Sequence, residues 1–364
     1  MSDAPAMGEV SICIPVFNGA AHLDEALRSA RSQTVSPLEI LVVDDQSSDG
    51  SLAIAERHAA EDPRIRIERN RENMGLAANW QRAVELSRGR WVKFLFQDDL
   101  IAPSCLARLC AGVDQSGAVL AFVGRRVMAE GLTPGQARSL APIERRNLCT
   151  MLERSAFLPP ERVAELALNY WAINVLGEPT SAMVRRDVFD RHGPFDANLT
   201  QLCDWEYWIR VGASEGLWFE VEKLATFRIH PHGTSLGNRR EQAVWTTYGE
   251  TALLGWKFLR DEAFAPVRVA AERAVPPVDL AARVARHVLR FDVNSDADRT
   301  GRGAALAAME RRYGPLPAVP VRAAILERSW MRLPAWIRMP VHRLRLRGRR
   351  RATTSSSGRL RRSL

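Results

Sequence analysis

Short apolar runs alternate with helical segments through the first hundred residues, and this alternation limits the fold more than any other feature of the sequence. Residues 40–43 form a continuous apolar run, which is typical of a strand buried on both faces. Residues 10–14 and 91–96 are similar runs, whereas residues 65–67 alternate apolar and charged side chains as a more exposed strand does. Strand and helix signals in this order predict an α/β fold with a doubly wound, mostly parallel sheet.

The pattern becomes less regular after the fourth apolar run. Residues 161–171 and a stretch near 204–211 have helical spacing, and residues 181–184 and 225–230 have the composition of strands. From about residue 238 onward the apolar positions are helical, until proline clusters interrupt them.

The formal net charge of +9 is concentrated at the C-terminus. Residues 331–364 contain eleven arginines and no acid, so residues 1–330 carry a net charge of about −2. A nearly neutral body argues against a nucleic-acid-binding domain. The basic tail mixes arginine with Trp336 and aliphatic residues, and we predict that it binds an anionic membrane surface. A solvated tail and nonspecific attraction to nucleic acid are the alternatives.

The cysteine pattern and the N-terminal residues bear on location. The five cysteines are odd in number and widely spaced, so they support neither a disulfide framework nor a zinc site. The N-terminus lacks a basic region followed by an apolar stretch, and no apolar run approaches the roughly 18 residues of a membrane span. We therefore expect a cytoplasmic protein, which the basic tail would place peripherally on the cytoplasmic face of the membrane.

Acidic residues follow two of the apolar runs directly. Asp44 and Asp45 end the second run, and Asp98 and Asp99 follow the fourth. In an open α/β sheet, ligands bind at the carboxyl ends of the strands, so both pairs are expected at one edge. Clustered carboxylates repel one another unless a cation compensates them, and a hard divalent ion that bridges a diphosphate does so. The alternative is that these acids only cap the helices that follow.

The sequence has no glycine-rich phosphate loop. The first strand runs into residues 15–19 without a G-x-G-x-x-G fingerprint, and no P-loop sequence occurs. A dinucleotide site of the Rossmann type is therefore disfavoured, and a bound diphosphate would need a metal ion.

Successive motifs resemble those of family 2 glycosyltransferases, which have the GT-A fold. The motifs are residues 10–18, 40–50, 73–75, 97–99, 177–196 and 203–210. The resemblance covers about residues 9–235. It implies a GT-A domain at 1–236 with a donor half at about 9–110 and an acceptor half at about 111–236. The helical spacing and the charge distribution place a helical region at 237–330 and the basic tail at 331–364 after this domain.

The resemblance also implies roles for single residues. Asp204 matches the catalytic base, and Asp99 and His230 match residues that bind a metal ion. Glu178 and Glu206 are the expected contacts to the acceptor or to sugar hydroxyls. The positions that match nucleotide-sugar contacts are Pro15, Phe17, Asn18, Asp45, Asn73 and Asp98.

The implied reaction is the inverting transfer of a sugar from a nucleotide-diphosphate sugar to an acceptor hydroxyl, with Mn²⁺ or Mg²⁺ as cofactor. A glycan or a lipid-linked acceptor in surface polysaccharide or glycolipid assembly fits this reading. The sequence departs from the family pattern at Cys203, where an acid usually precedes the base. This departure leaves a catalytically inactive nucleotide-sugar-binding or scaffold protein as one alternative. The other is a sugar nucleotidyltransferase, which would usually carry a glycine-rich basic loop that residues 15–21 lack.

Overall fold

The computed structural model of the chain describes residues 9–133, 145–171, 173–231 and 249–285, together with positions 135, 143, 233 and 287. The expected domain boundary near residue 236, the helix predicted from 238 and the basic tail 331–364 begin outside the described residues. Within the described part, no helix has the combined length and apolar character that a membrane crossing requires.

One mixed sheet organises the described residues. Its strands are β1 (Val10–Val16), β2 (Glu39–Asp44), β3 (Ile65–Arg69), β4 (Trp91–Phe94), β5 (Leu100–Ile101), β6 (Leu120–Ala129), β7 (Ala156–Leu158), β8 (Ala182–Arg185) and β9 (Leu217–Ile229). They lie in the order β3-β2-β1-β4-β8-β6-β9-β5, and β7 pairs with β9.

Helices connect and flank these strands. They are α1 (Leu23–Arg31), α2 (Ser51–Glu61), α3 (Leu76–Leu86), α4 (Cys105–Ser116), α5 (Pro160–Asn169), α6 (Val188–His192), α7 (Cys203–Glu215), α8 (Glu250–Arg260) and α9 (Ala265–Arg273).

The first half of the sheet confirms the α/β prediction. Strands β3, β2, β1 and β4 are parallel, with a helix between each consecutive pair in the chain. Every residue of β2 is buried, as its continuous apolar run predicts, whereas only Ile65 is fully buried in the edge strand β3. Val16 pairs with Asp44, so the carboxyl ends of β1 and β2 lie side by side.

The second half of the sheet is mixed rather than parallel. Strand β8 is antiparallel to both β4 and β6, and β6 is parallel to β9. The strands expected at 181–184 and 225–230 correspond to β8 and to the end of the longer β9. Strand β8 therefore joins the parallel half to the rest and brings its preceding loop to the end of β4.

Helix α7 is the most aromatic buried element of the described chain. Trp205, Trp208, Ile209 and Val211 are fully buried, as the helical spacing predicts. Tyr207 and Trp208 also contact Phe195 through their rings. Because α7 is packed on nearly all sides, the position of its first turn is determined by the core.

Helix α8 packs against the segment that follows α5. Trp256 and Phe258 of α8 are buried, and Trp171 Nε1 donates a hydrogen bond of 2.9 Å to the carbonyl of Thr251. A side chain at Gly255 would collide with the indole ring of Trp171, so this close approach requires glycine. The helical C-terminal region thus packs against the rest of the fold at this point.

Candidate active site

A cavity of about 550 Å³ opens at the carboxyl ends of β1, β2 and β4. Both halves of the sheet contribute to its wall. Residues 15–17, 45 and 96–98 come from the ends of β1, β2 and β4, and residues 200–204 and 227–230 come from the start of α7 and the end of β9. Among the predicted site residues, those that line it are Pro15, Phe17, Asp45, Asn73, Asp98, Glu178, Asp204 and His230.

Asp45 organises one end of the cleft. Its carboxylate accepts hydrogen bonds from the backbone N–H groups of Met74 and Gly75 at 2.8 and 3.0 Å, and from Asn70 Nδ2 at 2.7 Å. Asn73 Nδ2 donates to the carbonyl of Asp45 at 3.2 Å. Gly75 has a φ of +81°, which favours glycine at the start of α3. These bonds join the loop after β3 to the end of β2.

The mouth of the cleft next to this end carries an exposed aromatic ring. Phe17 is 47% exposed, although its backbone is held by two hydrogen bonds to the side-chain amide of Gln97. An exposed ring on a fixed backbone is a platform for a planar ligand. Asn18 turns away, since its Oδ1 accepts a 2.8 Å bond from the backbone N–H of Ser48 and the residue does not line the cavity.

Asp98 and His230 meet on the wall of the cleft. His230 Nε2 lies 3.3 Å from Asp98 Oδ2, and both side chains are partly exposed to the cavity. His230 follows β9, so the pair connects the first half of the sheet to the second. His22 also contacts the imidazole of His230, with 4.7 Å between ring centroids.

Asp99, expected as a metal ligand, lies behind this surface. Its Oδ2 accepts a 2.5 Å bond from Thr180 Oγ1, and its Oδ1 accepts a 2.9 Å bond from the backbone N–H of Arg228. The side chain is fully buried, and burial together with neighbouring Asp98 raises the pKa of Asp99 well above its usual range. Both oxygens accept hydrogen bonds inside the protein, and Asp98 rather than Asp99 lines the cavity.

The residues present fit a divalent ion that takes some of its ligands from the protein and the others from a bound diphosphate. Among the described residues, no group of three or more His, Cys, Asp and Glu side chains is arranged to hold a metal by itself. Asp98 and His230 supply one carboxylate oxygen and one imidazole nitrogen. Mg²⁺ is usually bound by one or two carboxylates together with substrate phosphates, and Mn²⁺ accepts similar ligands.

Asp204 lies in the first turn of α7 and faces the opposite wall of the cleft. Its Oδ2 accepts a 2.8 Å bond from Asn174 Nδ2, and its Oδ1 accepts a 2.6 Å bond from the backbone N–H of Trp205. Burial, followed by the negative charge of Glu178, raises the pKa of Asp204 to about 7. A carboxyl group with this pKa can take up a proton near neutral pH.

Glu178 lines the cleft beside an arginine that the sequence reasoning missed. Arg125 of β6 is buried, and its Nη1 donates a 2.6 Å bond to Glu178 Oε2. Its Nε has no hydrogen-bond partner in the described structure. The available signal was the arginine pair at 125 and 126, which follows the apolar stretch of residues 118–123, because a buried charge needs a partner.

Glu206 does not reach the cleft, so the expectation of an acceptor contact there is corrected. Its side chain is fully buried and pairs with Arg210 and Lys257, at 2.9 and 2.6 Å. Residues two apart on a helix point in different directions, and Glu206 therefore faces the core while Asp204 faces the cavity.

Cys203 lines the cleft, and its thiol contacts the carbonyl of Thr200 at 3.6 Å.

The mixed sheet with its parallel first half, the acidic corner after β4 and the carboxylate across the cleft define a GT-A-type glycosyltransferase. The profile of the family described as Glycosyl transferase family 2 matches residues 11–193. The chain belongs to this family, and it is a glycosyltransferase.

Curated relatives match parts of the chain. An uncharacterized protein of Mycobacterium tuberculosis is 31% identical over 224 residues, which are 62% of this chain and 68% of that protein. The putative glycosyltransferase EpsH of Bacillus subtilis is 35% identical over 30% of this chain and 32% of its own length. The putative teichuronic acid biosynthesis glycosyltransferase TuaG of the same species is 30% identical over 34% of this chain and 50% of its own length. The matched region thus covers half or less of the length of EpsH and of TuaG.

Solved structures share the fold at low sequence identity. S. aureus TarS 1-349 in complex with UDP-GlcNAc has a TM-score of 0.54 and 16% identity, with 86% of this chain and 82% of that chain covered. The mannosyltransferase PcManGT of Pyrobaculum calidifontis, in complex with GDP-Man and Mn²⁺, has a TM-score of 0.53 and 17% identity, with 92% and 91% covered. Identities this low support the GT-A fold alone.

Proposed function

We propose that the chain is an inverting, metal-dependent glycosyltransferase that uses a nucleotide-diphosphate sugar. The single observation that carries this proposal is the placement of Asp204 in the same cleft as Asp98 and His230. One wall can hold a leaving diphosphate, and the other presents a carboxylate whose pKa is about 7. Direct displacement at the sugar carbon needs this pair of functions and no covalent intermediate.

Asp204 is the proposed general base. The acceptor hydroxyl gives its proton to a carboxylate oxygen of Asp204 while the hydroxyl oxygen attacks C1 of the sugar and the bond from C1 to the diphosphate breaks. Asn174 holds the carboxylate through its 2.8 Å bond to Oδ2, and Trp205 N–H holds Oδ1. A fixed base aligned with the acceptor contributes roughly 10²–10⁴-fold to the rate.

Asp98 and His230 are the proposed metal ligands at the diphosphate. A divalent ion bound there supplies positive charge that stabilises the departing nucleoside diphosphate. The chain itself contributes the carboxylate and the imidazole, which lie 3.3 Å apart.

The end of the cleft near Asp45 is the proposed nucleoside site. Phe17 offers an exposed ring for the base, and Asn73 lies beside the loop that Asp45 organises. The Asp45 carboxylate is already bonded to three donors, so it shapes this loop in addition to any contact with the base. The complexes of TarS with UDP-GlcNAc and of PcManGT with GDP-Man make UDP- and GDP-sugars the first donors to test.

The proposed role is surface polysaccharide or glycolipid assembly on the cytoplasmic side of a membrane. The names of TuaG and of the succinoglycan biosynthesis protein ExoO, 32% identical over 31% of this chain, support a glycan acceptor. The arginines of the basic tail support attraction to anionic lipids, at about 1 kcal/mol per residue. Cosedimentation with anionic liposomes, for the full chain and for a chain truncated after residue 330, tests the membrane proposal. Equal sedimentation of both would contradict it.

A panel of UDP- and GDP-sugars tests the enzymatic proposal. We expect one donor to raise the melting temperature in the presence of Mn²⁺ or Mg²⁺, and the same donor to release its nucleoside diphosphate when an acceptor glycan is added. Donor binding without any release, across the acceptors offered and with water, would favour an inactive nucleotide-sugar-binding protein instead.

A further inference from the structure

Helix α8 carries a buried carboxylate to the segment that precedes α7. Glu250 is fully buried, and its two oxygens accept hydrogen bonds from three consecutive backbone N–H groups. The distances are 3.0 Å from Thr200, 2.8 Å from Gln201 and 2.8 Å from Leu202. The three contacts join residues 48 to 50 positions apart in the chain.

The last of these bonds, from the N–H of Leu202, reaches the start of α7, where no N-cap side chain accepts a backbone N–H. Leu202 is the residue before the first turn of α7, and it has no polar side chain to accept a backbone N–H. An ionised carboxylate forms hydrogen bonds about twice as strong as those of a neutral acceptor. It also interacts favourably with the positive end of the helix dipole.

The segment that Glu250 holds forms part of the cleft wall, although Glu250 itself does not. Residues 200–204 line the cavity without a break, and Asp204 is the last of them. Cys203 follows the held segment directly but offers a thiol, which contacts the Thr200 carbonyl rather than the backbone N–H groups. The carboxylate that orders this stretch therefore comes from α8.

A second contact of α8 acts on the same turn of α7. Lys257 Nζ lies 2.6 Å from Glu206 Oε1 and 2.7 Å from Asp196 Oδ2, and all three side chains are buried. Glu250 thus holds the backbone just before Asp204, and Lys257 holds the side chain two residues after it. The pair leaves the first turn of α7 little freedom to rotate.

We propose that Glu250 is a positioning residue, which holds residues 200–202 so that the Asp204 carboxylate faces the acceptor side of the cleft. The proposal rests on the proposed role of Asp204 as the base. It assigns to α8 a part in the active site, although α8 contributes no cleft-lining residue within the described chain.

Glu250→Gln in the full chain is the test, because it keeps the shape of the side chain and removes the charge. We expect amide hydrogen exchange at residues 200–202 to become about tenfold faster, since charge-assisted bonds to these amides are lost. Release of UDP or GDP from the nucleotide sugar, with acceptor or with water, should fall by about tenfold per folded molecule. Binding of free UDP or GDP should stay unchanged, because the nucleoside site is at the other end of the cleft.

Glu262→Gln is the matched control, since this glutamate is 90% exposed and lies in the turn just after α8. We expect it to change none of the three measurements. The proposal is overturned if Glu250→Gln shows wild-type exchange at residues 200–202. It is also overturned if turnover per folded molecule is unchanged, or if nucleotide affinity falls as much as turnover does.

Glu250→Asp covers the case in which the glutamine variant does not fold. It keeps the charge on a side chain one methylene shorter, so exchange and turnover should lie between those of the wild type and the glutamine variant. If the glutamine variant is unfolded and the folded Glu250→Asp protein has wild-type exchange and turnover, Glu250 contributes only to stability. That result would overturn the proposal. Asp204→Asn distinguishes failure of the proposed function from failure of the Glu250 proposal. Normal turnover in that variant would remove the assignment of Asp204 as the base, while hydrogen exchange at residues 200–202 would still report on Glu250.

Discussion

His230 Nε2 lies 3.3 Å from Asp98 Oδ2, although the two residues are 132 positions apart in the sequence. The contact joins the end of β4 to the end of β9, which are not adjacent strands. It places a carboxylate and an imidazole together on one wall of the cleft. The same wall is where a diphosphate must lie if Asp204, across the cleft, is to act on an acceptor.

Asp98→Asn should weaken Mn²⁺ binding by at least about tenfold, because even residues outside the ligand shell change metal affinity by 10–100-fold. Titration of Mn²⁺ by electron paramagnetic resonance, in the presence of the donor nucleotide, measures this effect. Asp190→Asn, at an exposed acid on α6, is the control and should bind Mn²⁺ as the wild type does. Equal affinity in the Asp98 variant would exclude this residue as a ligand.

Asp99→Asn should leave Mn²⁺ affinity within about twofold of the wild type, since Asp99 uses both oxygens inside the protein. An asparagine can accept from Arg228 N–H and donate to Thr180 Oγ1. Asp99→Ala cannot do either, and we expect it to lower the free energy of unfolding by about 1–3 kcal/mol for each group left unpaired. Urea denaturation measures this loss. A large loss of metal binding in Asp99→Asn would restore Asp99 as a ligand.

Asp204→Asn should lower turnover by about 10²–10⁴-fold, because an amide cannot accept the proton of the acceptor hydroxyl. Binding of the nucleotide sugar should change little, since the donor site lies on the other wall. Isothermal titration with the donor and single-turnover release of nucleoside diphosphate separate the two effects. Near-normal turnover would rule out Asp204 as the base.

Turnover should rise with pH around pH 7, because Asp204 has a pKa of about 7 and acts only when ionised. Glu178→Gln should move this rise to lower pH, since the negative charge of Glu178 raises the pKa of Asp204. Loss of Glu178 also leaves the positive charge of Arg125 without its partner, which acts in the same direction. Glu165→Gln, on the exposed face of α5, is the control for the pH profile. A midpoint that does not move would show that Glu178 has no electrostatic effect on the base.

Lys257→Met should lower the free energy of unfolding by about 3–5 kcal/mol, because it leaves Asp196 as a buried carboxylate without its cation and leaves Glu206 with Arg210 alone. Arg260→Met removes an exposed cation from the same helix and should change stability by less than about 0.5 kcal/mol. The midpoints of urea unfolding compare the two variants. Equal midpoints would show that the buried cluster does not stabilise α7.

The sequence by itself determined the parallel half of the fold and the aromatic core of α7. The continuous apolar run at residues 40–43 predicts a strand covered on both faces, and the spacing of Trp205, Trp208 and Ile209 places these side chains on a buried side of a helix. It also placed acids at the carboxyl ends of two strands, since the position of a residue relative to its own strand is a local property.

The tertiary structure decided which of these acids face the cleft. Asp98 and Asp99 are neighbours after β4, and local periodicity cannot say which side chain points outward once the strand has ended. The same limit applies to Glu206, whose partner Lys257 is 51 positions away on a helix that is not part of the family motifs. Arg125 and Glu250 have roles that depend entirely on distant partners. Such contacts form only when the whole chain packs, because the hydrophobic pattern specifies buried faces and not the polar groups that meet between them.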